Sequence, residues 1–299
     1  MNLETINKIV WWIPFKNLRN FVREYFIDIG NISKMATVIS ERDMREMKLD
    51  RLKRYSSDLK RLENYGYKVY SQNDEDGIIN EIFNRIGTTN KFFIEFGVQD
   101  GIECNSHYLL LQGWEGVFIE GSENFCKKIN EYYKNIISKN KLKVINAFIT
   151  RENINDLISS TKAVDIKDID LLSIDIDGND YHVFKAIDVI TPRVVVIEYN
   201  VKFPPPVKWV MPYNPKHVWD GTEKHGASLQ AIVDLAKEKG YELVGTNIYG
   251  INAFFVRKDL YDKNIFPDDN SASNLNNCLE YFWHGHMTSK KEFLENHLE

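Results

Sequence analysis

The sequence predicts an α/β protein built on a Rossmann-like, mostly parallel sheet with an antiparallel last strand, preceded by a helical extension. Three observations predict it. From about residue 70, short Val-, Ile- and Phe-rich runs alternate with helical periodicity, the mark of a parallel sheet covered on both faces. Glycines and acids gather where those runs end, at the edge where open α/β sheets bind ligands. Two final β runs are separated by only a short Gly-containing turn, which reads as a hairpin.

The predicted strands begin with Phe92–Phe96, Gly116–Glu120 and Lys143–Ala147, followed by Leu171–Ile176 and Val194–Glu198. Helices are expected between them at Glu123–Ser138, Asn153–Ser160 and Tyr181–Ile187. After a helix at Ser228–Lys239 come the hairpin runs Tyr241–Asn247 and Asn252–Arg257, turning at Tyr249-Gly250. The sheet domain is assigned to residues 66–262, with a helical extension at 1–65 and a tail at 263–299 packed back on the domain.

In the extension, the opening Ile9–Phe15 is too short to span a membrane and lacks a small-residue cleavage site. Leu18, Phe21, Val22, Tyr25, Phe26 and Ile29 follow at amphipathic helical spacing. A helix docked on its own chain or on a second subunit is the simpler account than a membrane-surface anchor. Leu52, Tyr55, Leu59 and Leu62 predict an apolar seam on a charged helix over 41–63, for an accessory helix pair or a homodimer contact.

With 43% hydrophobic and 27% charged residues the chain can bury a large core. Its net charge of −5 offers no general basic field for nucleic acid. Cys104, Cys126 and Cys278 are odd in number, widely spaced and lack a CxxC pair, which fits a reducing compartment, the cytoplasm, and argues against a zinc cluster or disulfide frame.

The first strand runs into Glu95-Phe96-Gly97-Val98-Gln99-Asp100-Gly101. Gly97 and Gly101 allow a sharp turn and close backbone approach, and Glu95 offers an acceptor, which suits a ligand with an ammonium group and no pyrophosphate. The fingerprint GxGxxG is absent, which weighs against a nicotinamide-dependent oxidoreductase. Glu120 closes the second strand about 20 residues on, where an acid accepts from ribose hydroxyls; position and spacing favour this over a helix N-terminal carboxylate beside Gly121 and Ser122. Asn146 and Ala147, ending the third strand, would then lie by an adenine.

The densest group is Asp175-Ile176-Asp177-Gly178-Asn179-Asp180, with Glu198-Tyr199-Asn200 on the neighbouring strand. Crowded carboxylates need protons, donors or a cation. Asp177, Glu198 and Asn200 offer oxygen ligands for Mg²⁺ or Mn²⁺, which would bind an acceptor hydroxyl and lower its pKa. The metal-free alternative makes these acids helix caps, with Asp177 or Glu198 as base. Among seven histidines, His225 lies in a polar loop able to cover the crevice and is a candidate base, while His107 and His182 sit just inside helices near it. Phe203-Pro204-Pro205-Pro206 leads into that loop, and Trp209, Tyr213 and Trp219 are expected to shape an acceptor pocket.

Five segments in order, Ser71–Ile79, Glu95–Asn105, Gly113–Gly116, Asp175–Tyr181 and Val196–Asn200, resemble the FkbM-like branch of class I methyltransferases, many of which belong to bacterial capsule and lipopolysaccharide biosynthesis. The resemblance covers about residues 70–260. It implies a seven-stranded sheet, S-adenosylmethionine as cofactor and transfer to oxygen, with a sugar or nucleotide-sugar as acceptor. Glu95, Gly97, Asp100 and Gly101 would hold the methionine part, with Asn105 and Ser106 nearby, and Glu120 the ribose. Asp175 and Asp177 would sit between cofactor and acceptor. This chain has Asp-Ile-Asp-Gly where many relatives are closer to Asp-Val-Glu-Gly, so no base carries over by position. A non-catalytic binding module of the same fold is the rival reading.

Overall fold

The computed structural model describes residues 3–222 and 224–277. These divide into two compact units, broken after Arg54.

In the first unit α1 (Leu3–Val10) and the start of α2 (Lys16–Tyr55) form a helical hairpin. Ile6, Val10 and Ile13 are buried against Val22, Phe26 and Ile27, so the hairpin has a small core of its own. The two predicted helical stretches are one continuous helix, and it stops at Tyr55. The expected seam over 41–63 is therefore corrected: Leu59 lies beyond the helix and is exposed, and Leu62 is buried in the second unit. There a short 3-10 turn (Leu62–Tyr65) sets Leu62 against Gly245, where a Cβ would lie 3.2 Å from its Cδ1.

The second unit contains α3 (Glu75–Ile86), β1 (Phe92–Phe96), α4 (His107–Leu111), β2 (Glu115–Glu120), α5 (Glu123–Tyr132), α6 (Lys134–Ile137) and β3 (Leu142–Asn146). Then come α7 (Ile154–Ser159), α8 (Ala163–Ile166), β4 (Leu171–Ile174), α9 (Asp180–Ala186) and β5 (Val194–Glu198). The unit closes with α10 (Leu229–Glu238), β6 (Tyr241–Thr246), β7 (Asn252–Arg257) and α11 (Ala272–Leu275). The seven strands lie in the order β3-β2-β1-β4-β5-β7-β6, parallel except for β7, which runs antiparallel to both neighbours. This is the mostly parallel, seven-stranded sheet with an antiparallel last strand that the sequence predicts.

Alternate residues of each strand feed two cores, as the period of two requires. On β1, Phe92, Ile94 and Phe96 face the core covered by α7, α9 and α10, and Phe93 faces the one covered by α3, α4 and α5. The helix expected over 123–138 is two pieces. Tyr133 breaks it by turning its buried ring inward, where its hydroxyl donates to the Gly101 carbonyl at 2.5 Å. Behind the domain boundary, Phe266, Ala272 and Leu275 are buried on the sheet, and Cys278 and Tyr281–His284 lie outside the described residues.

Reversal of the strand order between β1 and β4, which run parallel, opens a crevice at the carboxyl ends of the strands. The predicted site residues lie on or just after strand tips at that edge except for Asn105 and Ser106, which end the loop before α4, and His225, which comes from the long connection between β5 and α10.

Candidate active site

Two cavities open there. One of about 590 Å³ is lined by Glu95, Asp175, Asp177, Glu198, Asn200 and His225 among others. A second, about 520 Å³, is lined by Glu120, Ala147, Phe148 and Ile149. Gly97, Gln99, Asp177 and Trp219 line both, so the two spaces share a wall.

The β1 turn is shaped by close packing. Gly97 has φ +69°, and a Cβ there would fall 1.7 Å from the Asp175 carbonyl oxygen, so only glycine lets β1 and β4 end side by side. Gln99 also takes a positive φ (50°), as does Gly101 (77°). Glu95 turns inward. Its Oε1 accepts from Asn105 N at 2.8 Å and Ser173 Oγ at 3.3 Å, and its Oε2 accepts from Ser106 N at 2.9 Å and from the Ser106 hydroxyl. Burial raises its pKa and outweighs these donors. The carboxylate expected to meet a ligand directly thus fixes the loop that lines the cavity. Asn105 lines the first cavity and donates to Ser173 Oγ at 3.1 Å. Asp100 lines it too, its Oδ1 accepting from Ile102 N at 3.2 Å, whereas Gly101 and Ser106 line neither cavity and support the turn from behind.

Glu120 Oε2 accepts from Gln99 N (2.9 Å) and Oε1 from Ser122 N (2.7 Å), so it ties the β1 turn to the start of α5, whose N-cap is Ser122 rather than Glu120. Burial raises its pKa. Asn146 donates to the Glu120 and Gly121 carbonyls at 3.0 and 3.2 Å, stitching β3 to β2 without lining a cavity. Ala147 does line the second cavity, with Phe148 beside it. An aromatic directly after the third strand was the signal for Phe148.

At the tips of β4 and β5, single carboxylate oxygens of Asp175, Asp177 and Glu198 lie within 4.8 Å of one another. Among the described residues no donor reaches the carboxylates of Asp175 and Asp177, and Glu198 Oε2 is buried with no hydrogen-bond partner. Burial, then repulsion from Asp180 and Asp177, raises Asp175 well above the carboxylate range, and burial followed by Asp175 and Asp180 does the same to Glu198. Asp180 has donors, the N–H groups of Ile176 and Gly178 at 2.8 Å each, yet burial pushes it to about 6. Its role is to fold the loop between β4 and α9.

This donor set fits a hard divalent cation: three oxygen ligands converge, and one buried oxygen has nothing else to bind. The set differs from the one read from sequence. Asp175 joins Asp177 and Glu198, while Asn200 lines the cavity with its amide engaged, Nδ2 donating to His225 O at 2.9 Å and Oδ1 accepting from Lys202 N at 3.0 Å.

The connection from β5 to α10 is clasped to the β4 loop. Asn179 Nδ2 donates to Asn214 O (2.7 Å), His182 Nε2 lies 2.7 Å from Met211 O, and His217 Nε2 lies 3.1 Å from Asp177 O. The His217 ring covers Gly178, where a Cβ would meet it at 2.3 Å, and Asp177 is held at φ +54°. His217 is the residue that sequence reasoning missed, because nothing local marks a histidine 40 residues from the carbonyl it reaches. His182 works in the same clasp, and His107 stacks on Tyr70 at 3.8 Å away from both cavities. Of the aromatics expected at the acceptor pocket, Trp219 lines both cavities and stands edge-on to His225 at 6.2 Å. Trp209 instead stacks on Phe203 at 4.4 Å in a small buried cluster. Tyr213 lines a separate shallow cavity under the Arg151 guanidinium.

Comparison with known proteins bears on this same stretch of chain. Residues 153–243 match the Methyltransferase FkbM domain. The match runs from α7 into β6, less than half of the chain, and contains all three converging carboxylates. No curated protein sequence matches. Solved structures with a similar chain path include the O-methyltransferase of Bacillus cereus in complex with S-adenosylhomocysteine, at 16% identity over 71% of this chain and 90% of that one, with a TM-score of 0.42. Another is the magnesium protoporphyrin IX methyltransferase of Synechocystis PCC 6803 with bound S-adenosylmethionine, at 9% identity over 61% of this chain and 77% of that one, with a TM-score of 0.40. The fold assignment rests on strand order and direction.

Proposed function

We propose that this chain is an S-adenosylmethionine-dependent O-methyltransferase that acts on a sugar hydroxyl, with a divalent cation held by Asp175, Asp177 and Glu198. The observation that carries the reading is the convergence of three donor-poor carboxylates on a cavity sharing a wall with the Glu120 cavity. The sheet topology and the FkbM domain match support the class, and the acceptor class follows the resemblance to enzymes of capsule and lipopolysaccharide biosynthesis.

S-adenosylmethionine supplies a methyl already activated as a sulfonium, so no covalent enzyme intermediate is required. The cation supplies positive charge that lowers the pKa of an acceptor hydroxyl. The chain's own residues do the rest. The cavity lined by Glu120, Ala147 and Phe148 takes the nucleoside end, and the Gly97–Gly101 turn takes the amino-acid end. Asp175, Asp177 and Glu198 orient the acceptor oxygen. One of the aspartates, or His225, would accept the proton that the acceptor hydroxyl gives up as its oxygen takes the methyl group. Trp219, at the shared wall, offers an aromatic face to the acceptor.

The test is a mass-spectrometric screen for gain of one methyl across nucleotide-sugars, with Mg²⁺ or Mn²⁺ and with chelator. Methylated product that disappears in chelator is expected. Full activity in chelator removes the cation, and binding of S-adenosylhomocysteine without product from any acceptor turns the reading into a binding module.

A further inference from the structure

The helical hairpin of the first unit buries one face and leaves another bare. Its core uses Ile6, Val10 and Ile13 with Val22, Phe26 and Ile27. At its tip Trp11, Trp12 and Phe15 remain 71%, 68% and 71% exposed. Along α2 the exposed apolar residues continue at Leu18, Phe21, Tyr25 and Ile29, at spacings of three, four and four residues, which is one helix face. A large apolar patch led by two tryptophans marks a contact surface rather than ordinary exposure.

We infer that this hairpin tip docks on an anionic membrane surface, lying in the interface without crossing it. Charge selects that occupant. The tip, residues 8–23, contains Lys8, Lys16, Arg19 and Arg23 and no acidic residue, and with Glu24 and Asp28 farther along α2 the stretch 8–29 is still net positive, in a chain whose net charge is −5. Arg19 and Arg23 also brace the hairpin, through Ile13 O at 2.6 Å and Asn7 Oδ1 at 2.8 Å, so their charges are held near the tip. A second copy fits less well, because a two-fold contact at the tip would set one cationic segment against its duplicate. Tryptophan is the side chain suited to the headgroup layer, apolar in body with one N–H for the wet side. No helix among the described residues is long and apolar enough to cross a membrane, and the interfacial mode needs none.

The experiment is flotation of the full chain with vesicles of phosphatidylcholine alone and of phosphatidylcholine with phosphatidylglycerol. Binding is expected only to the anionic vesicles and should be lost in 0.5 M salt, the salt level being on the order of that needed to shorten screening below the reach of surface charges. Trp11→Ser with Trp12→Ser should abolish it. Lys16→Ser should weaken it about fivefold, the share of one cation near an anionic surface. An unchanged melting curve confirms that the variants fold, and the lysine variant gives an independent reading if the tryptophan pair does not. Absence of flotation at low salt, or equal flotation with neutral vesicles, overturns the proposal. So does a concentration-dependent dimer in sedimentation velocity that the tryptophan variant dissolves, since that identifies a second copy as the occupant.

Discussion

The two ends of β4 carry an aspartate each, and the protein treats them in opposite ways. Before the strand, Asp170 is fully buried and fully served. It accepts from the backbone N–H groups of Thr89, Asn90 and Lys91 at 2.7–3.1 Å and pairs with Arg193 at 2.6 Å. Burial alone would raise its pKa, but Arg193 and those N–H groups more than offset it and hold the carboxyl below its usual value. After the strand, Asp175 meets no donor and stands against Asp177 and Glu198, and burial drives its pKa up. A folded chain ordinarily pairs its buried acids, as it does at Asp170. After β4, Asp175 and Glu198 are half-buried and Asp177 is exposed, so the cluster keeps one side open to the cavity, and a crowd of acids there without donors is the arrangement expected of a functional rather than a stabilising site.

The sharpest way to break this contrast is to neutralise each end. Asp177→Asn and Glu198→Gln should each lower turnover by about 10²–10⁴-fold, the range for loss of a catalytic acid or base. Binding of S-adenosylhomocysteine, followed by calorimetry, should survive, and melting in chelator should stay level or rise because a repulsive charge has gone. Near-normal turnover in both variants would sink the assignment.

How far this contrast was legible in the sequence differs between its halves. The acids at the crevice were visible because strand-tip position and charge crowding are both local in sequence, and the sheet was visible because β1 to β7 are short apolar runs with clear punctuation. The chemistry of individual carboxylates was not. Whether Glu95 faces a ligand or the N–H groups of Asn105 and Ser106 depends on how a loop ten residues later folds back. The same holds for Asn200, whose amide is engaged by His225 and Lys202. The helix boundary at Tyr55 was missed because heptad-like spacing continued past the point where the chain turned. Periodicity reports a face, and only tertiary packing decides where the helix ends.

Asp170→Asn is the next effect in size, and it should act on stability alone. Removing one member of a buried pair leaves Arg193 uncompensated, a loss of about 3–5 kcal/mol. Because the folded pKa is depressed, the carboxylate's contribution is full above its unfolded value near about 4 and fades as pH falls through the lower folded value. Urea midpoints measured from pH 7 down to pH 3 should therefore drop for the native chain and converge toward the variant. A constant gap across that range would mean that Asp170 contributes packing rather than charge.

The smallest effect concerns how the crevice acids are held. A carbonyl only accepts, so the 3.1 Å contact with Asp177 O requires the proton on His217 Nε2. That bond ties the connection bearing Trp219 and His225 to an aspartate in a left-handed conformation. His217→Ala should lower turnover about fivefold, the worth of one ordinary hydrogen bond, with cofactor affinity unchanged. His217→Gln, which keeps a donor, should recover part of the loss. Gly178→Ala supplies the independent check, because its new methyl would meet the imidazole at 2.3 Å and displace it without touching a carboxylate. If the clasp positions Asp177, the two alanine variants should lower turnover alike and the double variant should add little further loss, because they act on one contact. Additive losses would instead mean that His217 serves the acceptor side on its own.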